Sequence, residues 1–204
     1  MNMILLAAAC FLPTFSAPVA AKVREGKVIE IAPSDDVWVY PHASDPARDE
    51  AMRIWGVGGI AVAESPGGAD DFSYGFLRFS LESLPQGAKV VGATLTLTNV
   101  PNPEWTEGMS KATPLEVRPL RGIFSEKTWV TTNVLRTFPD PKIIYGKGPL
   151  PFRSDDQPTR GEIALKGKEW EEALRSGGAL YLALTSTVDA AEVANLQGVH
   201  QRGH

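Results

Sequence analysis

The sequence predicts an all-β protein: an antiparallel β-sandwich of the jelly-roll type with one short helix. Three observations predict it. Segments with apolar residues at every second position recur along the chain, the period of a strand with one buried face. Gly (19) and Pro (16) are plentiful, as many turns between short strands require. Only one stretch spaces its apolar residues three and four apart, as an amphipathic helix does.

Residues 27–31 (KVIEI) and 36–40 (DVWVY) alternate and are separated by Pro33-Ser34. Residues 52–57 (MRIWGV) form a third strand after a polar loop, and residues 58–71 read as a loop rich in Gly, Ala and acidic side chains. In residues 76–81, Leu77, Phe79 and Leu81 share one face, with Phe76, Arg78 and Ser80 on the other. In residues 91–99, Val91, Ala93, Leu95 and Leu97 point one way and Thr94, Thr96 and Thr98 the other. Between the two runs, Leu84-Pro85-Gln86-Gly87 has Pro second and Gly fourth, as a type I turn favours. The pair reads as a long hairpin of half-buried strands.

Further strands are expected at residues 114–120, 142–145, 161–165, 179–185 and 193–199. The helix falls at residues 168–175, where Trp170, Ala173 and Leu174 share a face and Gly177-Gly178 ends the pattern. With 204 residues, no internal repeat and no low-complexity linker, the chain reads as one domain.

The first 21 residues read as a signal peptide. Residues 3–12 (MILLAAACFL) supply the apolar centre, and Val19-Ala20-Ala21 offers small side chains before Lys22, which implies cleavage after Ala21. The expected mature module is residues 22–204, secreted and extracellular. Met1-Asn2-Met3 departs from the pattern by lacking a basic residue, and Pro13 breaks the run well short of the roughly 20 residues of a membrane span. Cys10 is the sole cysteine. Its early position and the missing basic residues argue against a lipoprotein anchor, and the mature chain has no thiol for a disulfide.

A net charge of -4 gives no basic footprint for a nucleic-acid backbone. No nucleophile elbow, P-loop or dinucleotide fingerprint is present, and Gly56-Val57-Gly58-Gly59 is too short to cradle a phosphate. His200 and His204 are spaced H-x-x-x-H but lack the glutamate of a helical zinc site. Carboxylates are numerous, yet no pair stands out as a glycoside-hydrolysing couple. The expectation is a protein without catalytic activity and without a cofactor.

Several motifs carry a family resemblance. The runs Phe76-Leu77-Arg78-Phe79-Ser80-Leu81, Ser83-Leu84-Pro85-Gln86-Gly87-Ala88-Lys89-Val90 and Ala93-Thr94-Leu95-Thr96-Leu97 resemble the strand–turn–strand signature of DNRLRE domains, which are grouped with the family 96 carbohydrate-binding modules. Glu126-Lys127-Thr128-Trp129 is similar to the family's Thr-Trp region, and Trp170 with Gly178-Ala179-Leu180-Tyr181-Leu182 to its late element. The resemblance spans most of residues 33–199. Ser80 stands where an aspartate is usual, and the closing Phe-x-Ser-Arg-Glu pattern is replaced by Val199-His200-Gln201-Arg202-Gly203-His204, so either the last strand differs or the chain stops short of it. The resemblance implies a secreted jelly-roll module that binds a polysaccharide or cell-surface glycan, in association with larger extracellular assemblies.

A sugar site needs exposed aromatic rings for the apolar faces of pyranoses and polar groups for their hydroxyls. Trp38 and Tyr40 share a strand face, Trp55 lies beside Arg53 at the edge of a glycine-rich loop, and Trp105 sits in a polar loop. These five are the candidate carbohydrate-binding residues, whereas Trp129 and Trp170 are expected in the core. Asp35-Asp36, Asp70-Asp71 and Asp155-Asp156 are acidic pairs in turns, and Asp35 with Asp36 is the weak candidate for structural calcium. The rival functions are an extracellular structural or adhesive module with no sugar site and a small polysaccharide-active enzyme.

Overall fold

The computed structural model describes residues 27–39, 52, 54, 73–85, 87–99, 107–112, 114–130, 136–149 and 157–186. Eight strands run through them: β1 (Asp35–Val39), β2 (Tyr74–Ser80), β3 (Ala93–Asn99), β4 (Leu115–Arg121), β5 (Phe138–Pro139), β6 (Gly146–Gly148), β7 (Thr159–Leu165) and β8 (Ala179–Ser186). The main sheet has the order β1-β2-β8-β4-β5, with β6 also on β4, and β3 pairs with β7 in a second sheet. Every pairing is antiparallel. The result is an all-β sandwich.

The front face of the main sheet packs on the second sheet. Leu77, Leu115, Val117, Leu180, Leu182 and Leu184 meet Leu95, Ile163 and Leu165 in one aliphatic cluster. Period-two alternation aims these residues inward, and each buried side chain contributes about 1.5–3 kcal/mol. One flank is closed by β6. A Cβ at Gly146 would stand 2.5 Å from the Ala164 carbonyl oxygen and 2.8 Å from Ile163 Cγ2, so only glycine lets the two strands approach this closely. The Lys166 amide donates to the Tyr145 carbonyl at 2.8 Å across the same seam.

The helix at 168–175 forms as α2 (Lys168–Ser176), once α1 (Glu107–Ala112) is counted. Trp170 turns inward and meets Tyr145 edge-on, with ring centroids 5.3 Å apart. Gly177 and Gly178 end α2 with positive φ, where a side chain would be strained. The helix α1 was not expected from the sequence; a Glu107–Lys111 pair at 2.8 Å spans its single turn.

Four expectations are corrected. First, residues 76–81 and 91–99 do not form a hairpin: β2 pairs with β1 and β8, and β3 pairs with β7. A turn does form, but one residue later than expected: the Ala88 amide donates to the Pro85 carbonyl at 3.0 Å, which puts Pro85 first and Gly87, at positive φ, third. Extended, exposed residues then follow it (Val91 is 86% exposed) and carry the chain from one sheet to the other. Second, β2 is not half-buried. Phe76 is as buried as Leu77, because β2 is an interior strand with both faces covered. Third, residues 27–31 have no strand conformation, although Ile31 packs against the front core. Fourth, residues 142–145 turn instead of extending, because Asp140 Oδ1 accepts from the amides of Lys142 (2.8 Å) and Ile143 (3.0 Å). The strand begins after it, at Gly146. The expected strand at 193–199, the signal peptide at 1–21 and Cys10 lie outside the described residues.

Candidate functional site

The strand β1 forms an edge of the main sheet among the described residues, and alternation gives its two faces different chemistry. Asp36 and Trp38 point to the front, while Asp35, Val37 and Val39 point to the back. Trp38 lies opposite Gly75. A Cβ on Gly75 would meet Met52 Sδ at 2.5 Å and Ile54 Cδ1 at 3.2 Å, so the missing side chain gives these two residues their seat beside the indole strand.

The Trp38 indole N–H donates to the Oγ of the buried Ser73. The ring is half-buried and held by that bond, so it offers its apolar surface from a fixed position. Asp36, two residues back on the same face, is exposed. Desolvation by its neighbours and the repulsion of Glu126 and Asp35 push its carboxyl above the ordinary aspartate value. A ring fixed in place with a carboxylate about 7 Å along the strand can stack a sugar face and accept from a hydroxyl.

The back of β1 is occupied. Asp35, Arg78 and Tyr181 lie in one row across β1, β2 and β8. Asp35 Oδ2 accepts from Arg78 at 2.7 Å and from Ser34 Oγ at 3.2 Å, while Oδ1 accepts from Ser125 Oγ at 3.1 Å and the Glu126 amide at 3.2 Å. Burial alone would raise this carboxyl, but the hydrogen bonds from Arg78, the Glu126 amide, Ser125 and Ser34 outweigh it and hold the group below the ordinary value. The Arg78 guanidinium lies over the Tyr181 ring, 5.9 Å from its centroid, while its Nε is buried without a hydrogen-bond partner.

Asp35 also fastens the cover of the back face. Residues 122–130 cross this face as a strap containing a 3₁₀ turn, Glu126–Thr128. Asp35 caps that turn from a neighbouring strand. Phe124 and Trp129 of the strap pack on Phe76 at 6.0 and 5.7 Å between centroids, and Phe124 meets Tyr181 at 5.9 Å. Trp129 and Trp170 are both buried, as expected.

Farther along the back face sits an ion cluster. Arg118 donates from Nε (3.0 Å) and Nη2 to Glu116 Oε2, and from Nη1 to the Asp140 carbonyl at 2.9 Å. Both side chains are 7% exposed, and Lys147 Nζ stands 3.7 Å from the other Glu116 oxygen. Thr185, directly opposite Glu116 on β8, is fully buried and its hydroxyl has no hydrogen-bond partner. Asp140 pairs with Arg121 at 2.8 Å. Burial would raise the Asp140 carboxyl, but the Lys142 amide, Arg121 and the Ile143 amide hold it below the ordinary value.

Of the sequence candidates, the structure places Trp38 on the edge strand; Tyr40, Arg53, Trp55 and Trp105 lie outside the described residues. Asp35 and Asp36, the calcium candidates, project from opposite faces of β1, and every oxygen of Asp35 is engaged by protein donors. Among the described residues no group of three or more His, Cys, Asp or Glu comes together to hold a metal ion. The outward face of the second sheet sets Thr94, Thr96 and Thr98 against Ala164, Glu162 and Arg160, a polar surface without a ring. The Asp35–Arg78–Tyr181 row was not anticipated. Its signal was an arginine set among apolar residues of β2, but the row appears only once the strand register is known.

No protein-family model matches this chain, and no curated protein matches it.

Proposed function

We propose that the chain is a secreted, non-catalytic carbohydrate-binding module. The observation that carries this reading is Trp38: a half-buried indole on an edge strand, its N–H already bonded to Ser73, with the exposed Asp36 on the same face. A ring fixed in this way loses little freedom when a pyranose stacks on it, and binding energy is not spent on ordering it. The resemblance of residues 76–97 to DNRLRE domains adds a polysaccharide or cell-surface glycan as partner, and the apolar N-terminal segment adds export. The described residues contain no helix long and apolar enough to cross a membrane.

The test is affinity electrophoresis of the protein from Lys22 onward against a panel of neutral and acidic polysaccharides. Retardation by one glycan, lost on Trp38→Ala with the fold intact, establishes the site. The same scan with Trp55→Ala and Trp105→Ala measures the other aromatic candidates.

A structural or adhesive module with no sugar site is the second reading, and one observation favours it. The strap exposes Ile123 (76%) and Val130 (55%) to solvent while burying its own rings, Phe124 and Trp129. Apolar side chains outside and aromatic ones inside suit a protein contact better than a sugar. A folded protein retarded by no polysaccharide of the panel selects this reading.

A further inference from the structure

The strap is joined to the sheet in an unusual way. Its described backbone hydrogen bonds are local, from the Thr128 amide to Ser125 (3.2 Å) and from the Trp129 amide to Glu126 (3.3 Å), and it contributes no strand to either sheet. It meets the sheet through the rings of Phe124 and Trp129 and through the Asp35 carboxylate. At its start, Gly122 has a φ of +98°, and a Cβ there would lie 2.7 Å from the Arg136 carbonyl oxygen. That glycine is a fixed pivot, and Thr137 Oγ1 steadies it by donating to the Ile123 carbonyl at 3.3 Å.

We propose that residues 122–130 are a latched strap, held down by the Asp35 carboxylate, and that discharging this latch lifts the strap from the aromatic face before the sandwich unfolds. The charged and titratable groups around the latch are Arg78 on β2, Tyr181 on β8, Asp36 on β1 itself and Glu126 on the strap. Among the described residues Arg78 pairs with the Asp35 carboxylate alone, so losing that charge also leaves the guanidinium over Tyr181 without this counter-ion. The front core contains Leu77, Leu182, Leu184 and their partners, with no titratable group in direct contact with the latch, so it keeps its packing when the latch opens. Asp35 is held below the ordinary value in the folded protein. The latch is therefore fully engaged above about pH 4 and opens as the pH falls through its lower folded value.

The experiment is an acid titration of the full chain by amide-resolved NMR. It follows the amides of Ser125, Glu126 and the Trp129 indole as strap reporters and those of Leu182 and Leu184 as core reporters. The expected result is loss of the strap signals at a higher pH than the core signals. In Asp35→Asn the strap signals should already be displaced at neutral pH, with the core signals dispersed and the separate acid step gone. Simultaneous loss of strap and core signals in the wild-type protein would overturn the proposal. So would undisturbed strap signals in a folded Asp35→Asn. Should that variant fail to fold, the wild-type titration decides alone.

Discussion

The two faces of the main sheet solve the same problem with different materials. In front, a second sheet presents regular rows of side chains, and the core between them is aliphatic: Leu77, Leu95, Val117, Ile163, Leu182. Behind, the cover is a nine-residue strap and a few turns, and the filling is aromatic and ionic: Tyr74, Phe76, Phe124, Trp129, then Glu116 with Arg118. A sheet supplies many modest side chains at fixed spacing, and leucines interdigitate with them. A strap supplies few, so each must be large, and its backbone, which joins no sheet ladder, takes polar partners such as Asp35.

The sharpest test of this contrast is Phe76→Ala against Leu182→Ala. Phe76 touches the rings of Tyr74, Phe124 and Trp129, so its loss should cost about 3–5 kcal/mol, no less than removing a leucine from the front core. Urea unfolding measures both. A back-face cost below about 1 kcal/mol would reduce that face to a decorated surface.

Arg118→Ala should cost about 2–4 kcal/mol, since it leaves Glu116 buried with, among the described residues, Lys147 at 3.7 Å as its remaining cation. The double variant Glu116→Leu with Arg118→Leu should cost less than the single one. A double variant worse than Arg118→Ala would mean that the ion cluster does more for this face than fill it. Gly146→Ala should cost about 1–3 kcal/mol by forcing β6 away from β7, and it reports on the front seam alone.

The next effects depend on pH. Asp35 and Asp140 lie below the ordinary aspartate value when folded, so the stability they give is complete above about pH 4 and is lost as the pH falls through their folded values. Asp36 lies above that value, so its ionisation weighs against the fold at neutral pH and the penalty is relieved on acidification. Asp35→Asn should therefore lower the melting temperature at pH 7 and Asp36→Asn should raise it. Equal signs for these adjacent residues would contradict the two-faced reading of β1. Trp38→Ala removes a half-buried ring and the donor to the buried Ser73, so it should cost about 1–3 kcal/mol while abolishing any glycan binding.

Individual strands were legible because alternation is a local property. β4, β7, β8 and α2 form within a residue or two of where the pattern puts them. Pairing was less legible. The Pro-Gln-Gly turn suggested that β2 and β3 meet, yet the partner of β2 is decided by burial of both its faces, and the cover for Phe76 comes from residues 124 and 129. Phe76, Arg78 and Ser80 looked like a solvent face because no local signal announces a distant strap. The turn at 142–143 did have a local signal, Asp140-Pro141, which the apolar Ile143-Ile144 obscured. At the candidate site, Trp38 could be found as an aromatic on a strand, whereas the Asp35–Arg78 pair depends on register, which composition does not encode.

The departure of β3 from β2 has a consequence for how the chain comes into being. Arg78 finds its neighbour at Tyr181, roughly a hundred residues later in the chain. A nascent polypeptide emitting about 5–20 residues per second therefore exposes β2, with Phe76 and Leu77 on its two faces, for several seconds before β8 exists to flank it. During that interval this interior strand has, among the described strands, β1 alone to pair with, and the time of greatest danger from aggregation falls before the sheet can close.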